Sequence, residues 1–288
     1  VKTLSVAYTK LSSTGTVNTN IIVIMKDYTG IAFNTSSLLS AKNGKAATIT
    51  GAYDGQDEGG TLLLSGGTAG RFISGDTNFE NLTFYGSAHT TGTGSVDLYV
   101  QGHKVKFGSN IIMDRYIKNG TLPDFDIYGG WRKPNEQYSV ATNTPTIEIN
   151  SGQFNKIIMG NGMGTNAVSN LQNTTSNNIM GSSSASFGGT VTVDYTGKMK
   201  QEDIGLIAGG NEIGTIYSNA IINIKNGNVG KIIGGNYADS SNRPTSWAYP
   251  LNTFIGTSTI NVTGGQIENI IGASYGRNAN NTAIKSDA

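Results

Sequence analysis

The chain has 288 residues, of which 40 are Gly, none is Cys and only 14% are charged. Its formal net charge of +1 argues against a nucleic-acid partner, which needs a dense basic face. No apolar run approaches the roughly 18 residues that a membrane-spanning helix requires, so membrane insertion is not expected. Short Ile and Val bursts between Gly and Asn favour an all-β protein with many short strands and tight turns.

The N-terminal segment Val1-Lys-Thr-Leu-Ser-Val-Ala-Tyr-Thr-Lys10 alternates apolar and polar residues and lacks the apolar core of a signal peptide. We therefore expect a processed protein or a fragment of a longer surface protein. No helical period of convincing length is present, so no helix is predicted. The first half of the chain is predicted to contain six strands separated by Gly residues: Ile21–Met25, Ala47–Thr50, Leu62–Leu64, Phe79–Phe84, Val96–Val100 and Val105–Phe107.

Two groups of carboxylates are candidates for a calcium site, the only cofactor that the sequence suggests. Asp54, Asp57 and Glu58 lie in a Gly-rich turn, and Asp124 and Asp126 are two residues apart, so they would share one face of a strand. Carboxylates with nearby backbone oxygens can hold calcium, while the alternative is that they are solvated loop side chains.

Aromatic residues concentrate in two predicted insertions between strands, residues 114–146 and 237–257, which include both Trp residues of the chain. Aromatic rings stack on the C–H faces of sugars, and Arg and aromatic residues also anchor protein interfaces. The alternative is that these rings fix their loops to the sheets. The candidate ligand-binding residues are Tyr116, Tyr128, Trp131, Arg132, Tyr138, Tyr237, Arg243, Trp247 and Tyr249.

The second half of the chain repeats one pattern four times, with units that start at residues 147, 191, 222 and 260. Each unit has an apolar-x-apolar strand, a Gly turn and an apolar pair followed by a Gly corner. A constant element with variable insertions is typical of a parallel β-solenoid. In such a stack Ile147, Val191, Ile222 and Ile260 would form one internal ladder, and Ile158, Ile233 and Ile271 another. A structural ladder of Asn161, Asn211 and Asn236 is predicted at one corner, with side-chain amides bonded along the axis.

Two motifs resemble known proteins. Phe79-Glu-Asn-Leu-Thr-Phe84 resembles a strand motif of pectate-lyase-like β-helix proteins. Gly102-His-Lys-Val-Lys-Phe-Gly108 and the Ile-Ile-Gly-Gly-Asn units resemble Gly/Asn-rich surface proteins of Gram-positive gut bacteria. The resemblance implies a right-handed parallel β-helix on a cell surface and does not imply catalysis.

Residues 1–288 are therefore interpreted as one all-β domain, a right-handed parallel β-helix with projecting insertions. The catalytic residue sets of pectate lyases and polygalacturonases are missing from the sequence. We expect a non-catalytic, extracellular adhesin or polysaccharide-binding module that contacts a polysaccharide or host glycan. The alternatives are a polysaccharide lyase or glycoside hydrolase with a non-standard site, and a trimeric phage or virus spike.

Overall fold

The computed structural model describes residues 3–26, 44–57, 59–64, 71–86, 96–114, 125–130, 145–160, 190–195, 204–212, 216–217, 219–238, 254–255 and 257–276. The predicted all-β class is confirmed, because these residues contain one short helix and many strands in mostly parallel sheets.

The elements follow each other in this order: α1 (Leu4–Thr9), β1 (Ile21–Val23), β2 (Ala47–Thr50), β3 (Ala52–Tyr53), β4 (Gln56–Asp57), β5 (Thr61–Leu64), β6 (Arg71–Phe72), β7 (Thr77–Glu80), β8 (Thr83–Gly86), β9 (Val96–Tyr99), β10 (Lys104–Phe107), β11 (Ile112–Asp114), β12 (Phe125–Tyr128), β13 (Thr146–Ile149), β14 (Phe154–Ile158), β15 (Thr190–Tyr195), β16 (Ile204–Ala208), β17 (Ile216–Tyr217), β18 (Asn219–Ile224), β19 (Asn228–Ile233), β20 (Tyr237–Ala238), β21 (Phe254–Ile255), β22 (Ser258–Val262), β23 (Gln266–Ile271) and β24 (Tyr275–Gly276).

Two long sheets dominate the fold. The eight-stranded sheet has the order β1-β2-β7-β10-β13-β15-β18-β22, and the seven-stranded sheet has the order β6-β9-β12-β14-β16-β19-β23. A three-stranded sheet contains β5, β8 and β11. All pairings in these three sheets are parallel, and from β12 to β16 successive strands alternate between the two long sheets. Each sheet is therefore assembled from strands that are distant in sequence.

The main apolar core collects inward-facing residues of all three sheets. Phe107 of the eight-stranded sheet contacts Phe125 and Phe154 of the seven-stranded sheet, with ring centroids 6.0 and 4.8 Å apart. Phe79 and Phe84 complete this aromatic cluster. Because aromatic rings bury large apolar areas, the cluster joins the sheets where their strands are short.

The predicted ladders are confirmed in part and wrong in one register. Ile147 pairs with Val193 rather than Val191, and Val193 pairs with Ile222, which pairs with Ile260. The shift is two residues, which is one full period of the strand, so the alternation of β15 stays in phase with that of its neighbours.

The second predicted ladder is present but lies on the other face of its sheet. Ile158, Ile233 and Ile271 align through Ala208, and they belong to a smaller apolar cluster separate from the main core. The row that faces the main core comes one residue earlier in each strand and includes Ile157 and Ile232.

The predicted strand Phe79–Phe84 is wrong, because the chain turns a corner within it. Strand β7 ends at Glu80, and β8, in a different sheet, begins at Thr83. Asn81 between them has φ +51°, a left-handed conformation that Asn tolerates better than most residues.

Helix α1 was not predicted, since its six residues are too few for a periodic signal. The Thr3 side chain accepts a hydrogen bond from the Val6 backbone N–H at 3.3 Å and caps the N-terminus. Leu4 and Tyr8, one turn apart, are buried in the core. Within the described residues no helix has the length and apolarity to cross a membrane.

Lys45 holds the C-terminal end of this helix. Its Nζ, which belongs to a side chain that is largely buried, donates to the carbonyl oxygens of Tyr8, Thr9 and Leu11 at 3.4, 3.2 and 2.8 Å. A cation placed there bonds to carbonyls at the C-terminal end of the helix, where the helix dipole favours positive charge.

We expect Lys45→Met to lower the free energy of unfolding by about 2 kcal/mol, since hydrogen bonds to a charged group are lost while the aliphatic stem is kept. Chemical denaturation followed by circular dichroism measures the loss. The exposed Lys10 at the same end of the helix provides the control, Lys10→Met, for which little change is expected. Equal losses for the two variants would contradict the capping role of Lys45.

Candidate functional site

Strand β12 places its side chains on two faces of the seven-stranded sheet. Phe125 and Ile127 belong to the main core, so Asp126 and Tyr128, which alternate with them, point to the opposite side. We call this side the outer face. One row of residues crosses it, because Asp126 pairs with Lys156, Lys156 with Leu206 and Leu206 with Lys231.

Three charged side chains meet at this row. Lys156 Nζ lies 2.7 Å from Glu212 Oε1 and 3.4 Å from Asp126 Oδ2. The side chains of Asp126 and Glu212 are only 5% and 8% exposed, and that of Lys156 is 17% exposed. Asn155 Nδ2 donates to the other carboxylate oxygen of Asp126 at 2.8 Å. We call Asp126, Lys156 and Glu212 the charged triad.

Burial changes the protonation of the triad. Desolvation raises the pKa of Asp126 from 3.8 to about 7, although Lys156 and the hydrogen bond from Asn155 oppose the rise. Burial alone would lower the pKa of Lys156, but Glu212 and Asp126 outweigh it and raise that pKa. Lys156 therefore remains a cation, while Asp126 can take up or release a proton close to neutral pH.

Stacked aromatic rings continue the outer face beside the triad. Tyr128 stacks on Tyr99 with ring centroids 4.8 Å apart, and Tyr99 stacks on Phe72 at 5.3 Å. Lys156 Nζ lies 5.5 Å from the centre of the Tyr128 ring, within the range of a cation–π contact. Desolvation raises the pKa of Tyr128, so its hydroxyl stays protonated.

An open cleft of about 350 Å³ lies next to the triad. Leu206 supplies an apolar patch in it, between Lys156 and Lys231. Tyr237 stacks on Tyr275 with ring centroids 5.8 Å apart, and Lys231 Nζ lies 4.8 Å from the centre of the Tyr275 ring. The side chains that line the cleft are those of Asn155, Lys156, Leu206, Glu212, Lys231 and Tyr237. It thus combines donors, an acceptor, an aromatic ring and an apolar patch.

The raised pKa of Asp126 predicts that stability depends on pH. The folded state binds a proton more tightly at Asp126 than the unfolded state does, so this contribution is present below pH 4 and is lost as pH rises through about 7. We expect the free energy of unfolding of Asp126→Asn, relative to the unmodified chain, to increase between pH 5 and pH 8. Denaturant titrations at a series of pH values measure the difference. The exposed carboxylate Asp54 gives the control, Asp54→Asn, and a constant difference for Asp126→Asn would refute the prediction.

Only some of the predicted ligand-binding residues lie in the described part of the chain. Tyr237 lies in the cleft, at the start of β20. The assignment of Tyr128 to an insertion is wrong, because Tyr128 ends strand β12 and is buried, with 3% of its surface exposed. The predicted residues outside the described part are Tyr116, Trp131, Arg132, Tyr138, Arg243, Trp247 and Tyr249.

Each of the two predicted calcium groups has one side chain in the described residues, Asp54 in the first and Asp126 in the second, so both groups stay predictions. Asp54 and Gly55 form the two-residue turn of the antiparallel hairpin β3–β4, with φ of +48° and +75°. Asp-Gly is a preferred pair for such a turn, so the turn itself accounts for Asp54. Asp126 contacts Lys156 and Asn155. Glu58, Asp124 and the side chain of Asp57 lie outside the described residues, and the described part holds no cluster of three metal-binding side chains.

Two members of the predicted Asn ladder lie at successive corners and are fully buried. The backbone N–H of Asn211 donates to Asn236 Oδ1 at 2.8 Å, and the backbone N–H of Asn236 donates to Ser274 Oγ at 3.0 Å. These bonds run from backbone to side chain, and the predicted bonds between side-chain amides stay a prediction. Asn161 lies outside the described residues.

Sequence reasoning missed Lys156, Lys231 and Glu212. A signal for the two lysines is present, because each directly precedes the apolar pair of its repeat, a position that alternation assigns to the outer face. Glu212 follows Asn211 at a corner, where the repeat pattern assigns no direction to its side chain.

A scan against protein-family models, a search of curated proteins and a search of solved structures each found no significant match.

Proposed function

We propose that this chain is a non-catalytic, extracellular module of a bacterial cell surface that binds a polysaccharide, and that its parallel sheets form a right-handed β-helix. The polysaccharide binds in the cleft on the outer face, in addition to any contact with the aromatic insertions. The repeated strands, the alternation between two long parallel sheets and the low charge content support this proposal.

The observation that carries the proposal is the composition of the cleft. Sugars present both hydroxyl groups and apolar C–H faces. Lys231 and Asn155 offer donors, Glu212 offers an acceptor, and Leu206 and Tyr237 offer apolar surface. The stack of Tyr237 on Tyr275 holds the ring of Tyr237 in one orientation, which reduces the entropy lost on binding.

Affinity electrophoresis against a panel of neutral and acidic polysaccharides tests the proposal. We expect Tyr237→Ala and Lys231→Ala each to weaken retention by about tenfold or more, which corresponds to about 1.4 kcal/mol. The matched controls Tyr53→Ala and Lys225→Ala alter exposed side chains that do not line the cleft, and they should retain binding. Equal retention by all four variants would remove the cleft from the proposal.

One observation favours the alternative of a glycoside hydrolase. Asp126 and Glu212 both contact Lys156 Nζ, so their nearest oxygens are separated by no more than the sum of the two distances, about 6 Å. Retaining glycosidases hold two carboxyl groups about 5–5.5 Å apart, and a carboxyl group with a pKa of about 7 suits a general acid.

Accessibility argues against hydrolysis. Only Glu212 of the two carboxylates lines the cleft, while Asp126 is buried beneath Lys156 and Asn155. Hydrolysis needs both groups to face one glycosidic bond. Assays for new reducing ends and for unsaturated products on the same polysaccharide panel decide between the two functions, because a binding module releases neither.

A further inference from the structure

The first and the last strands of the two long sheets have different surroundings. Strands β22 and β23 are the last strands of the eight- and seven-stranded sheets, so one edge of each has no neighbouring strand among the described residues. Val262 and Ile270 on these strands are 45% and 53% exposed. Their register partners in the preceding strands, Ile224 and Ile232, are fully buried in the main core. The terminal strand pair therefore exposes residues of the core rows.

At the opposite end helix α1 packs Leu4 and Tyr8 into the core close to the first strands. A second copy of the chain that added head to tail would have to accommodate this helix beside the first strands. A head-to-tail copy is therefore a poor occupant for the exposed end.

A row of glycines indicates what fits on the exposed end. Gly209, Gly234 and Gly272 follow the aligned residues Ala208, Ile233 and Ile271. A Cβ on Gly209 would lie 2.2 Å from the Gly234 carbonyl oxygen, and a Cβ on Gly234 would lie 2.4 Å from that of Gly272. Each inner glycine is required because the backbone of the next strand approaches it closely.

Gly272 occupies the same position in the row but has open space around it. A Cβ there would meet no atom of the described residues within 4 Å, and its φ lies outside the left-handed region, so neither packing in this part of the chain nor backbone conformation demands glycine. Glycine would be required at position 272 if a further strand lay as close to it as the next strand lies to Gly209 and Gly234.

We propose that the terminal strand pair β22 and β23 is a docking surface for a further pair of parallel β-strands from a protein segment with the same apolar-x-apolar and Gly pattern. The segment would pair with the free edges of both strands, cover Val262 and Ile270 and bring a backbone carbonyl against Gly272. This proposal is independent of what binds in the cleft.

Fluorescence anisotropy with a labelled synthetic peptide of residues 257–276 tests the docking surface. That sequence already stacks in parallel on residues 219–238 within the chain, so it carries the required pattern. We expect saturable binding to the unmodified chain. Binding should be at least tenfold weaker to Gly272→Val, because the added methyl groups occupy the space that the carbonyl needs, and to Ile270→Lys, because a charge enters the core row.

Both positions are exposed in the chain alone, so neither variant should lower the thermal unfolding midpoint, and this measurement separates lost docking from lost folding. Tyr53→Lys introduces the same charge at another exposed side chain, 62% exposed against 53% for Ile270, and this variant should bind the peptide normally. Hydrogen exchange should slow at Ile270 and Gly272 when the peptide is bound, because the N–H of Gly234, which is equivalent to Gly272, donates to the next strand. The proposal is overturned if the unmodified chain does not bind the peptide, if a scrambled peptide binds equally well, or if Gly272→Val binds with unchanged affinity.

Discussion

Gly234→Ala is expected to lower the free energy of unfolding by about 3 kcal/mol, and the thermal midpoint by roughly 5–10 °C. The new Cβ would lie 2.4 Å from the Gly272 carbonyl oxygen and 2.6 Å from Ser258 Oγ, well inside van der Waals contact. The strands cannot separate cheaply, because the Gly234 N–H donates to the Ile271 carbonyl oxygen at 2.8 Å. Differential scanning calorimetry and chemical denaturation measure the loss.

Gly272→Ala is the matched control, since it makes the same substitution at the equivalent position of the next strand. Its Cβ meets none of the described residues within 4 Å, so we expect the free energy of unfolding to change by less than about 0.5 kcal/mol. Both glycines have φ outside the left-handed region, so a difference between the variants reports on the approach of the neighbouring strand. Similar losses at the two positions would contradict close stacking as the reason for the glycine row.

The repeat pattern predicted parallel pairing correctly, because each unit carries the same alternation of apolar and polar residues in the same chain direction. The predicted register is wrong at β15. Val191 and Val193 are two residues apart, so alternation assigns both of them to the same face of the strand. A slip of one residue would move apolar side chains to the wrong face, but a slip of two leaves the pattern intact. Alternation therefore could not distinguish Val193 from Val191 as the partner of Ile147.

Tyr128 shows a signal that the sequence contained and the prediction did not use. Asp126-Ile-Tyr-Gly-Gly130 has the arrangement of Lys231-Ile-Ile-Gly-Gly235, with Tyr in place of the second Ile. Both segments end strands of the seven-stranded sheet. The aromatic content of the surrounding residues favoured an insertion, whereas the glycine pair indicated a strand followed by a corner.

The charged triad could not be predicted from the sequence, because its members lie on separate repeat units. Alternation assigns Asp126 and Lys156 to the outer face, but only the register of β12 against β14 places them side by side. Glu212 reaches Lys156 from the corner after β16, and the insertions of variable length between units hide this proximity.

The triad gives the second large expected effect: Lys156→Met should lower the free energy of unfolding by about 3–5 kcal/mol at pH 8. Methionine keeps the length and the packing of the side chain but leaves Asp126 and Glu212 buried without their cation. The loss should shrink at pH 5, because a buried carboxyl group that has lost its cation avoids the cost of burial by taking up a proton.

Lys106→Met separates this effect from the loss of an ordinary surface ion pair. Lys106 Nζ lies 3.1 Å from Glu148 Oε1, but the two side chains are 34% and 37% exposed, so the expected loss is about 0.5 kcal/mol or less. The double variant Lys156→Met with Asp126→Asn should recover part of the stability at pH 8, since one of the two uncompensated charges is gone. Two results would contradict burial as the cause: a loss in the free energy of unfolding for Lys156→Met no larger than that for Lys106→Met, or a double variant no more stable than Lys156→Met alone.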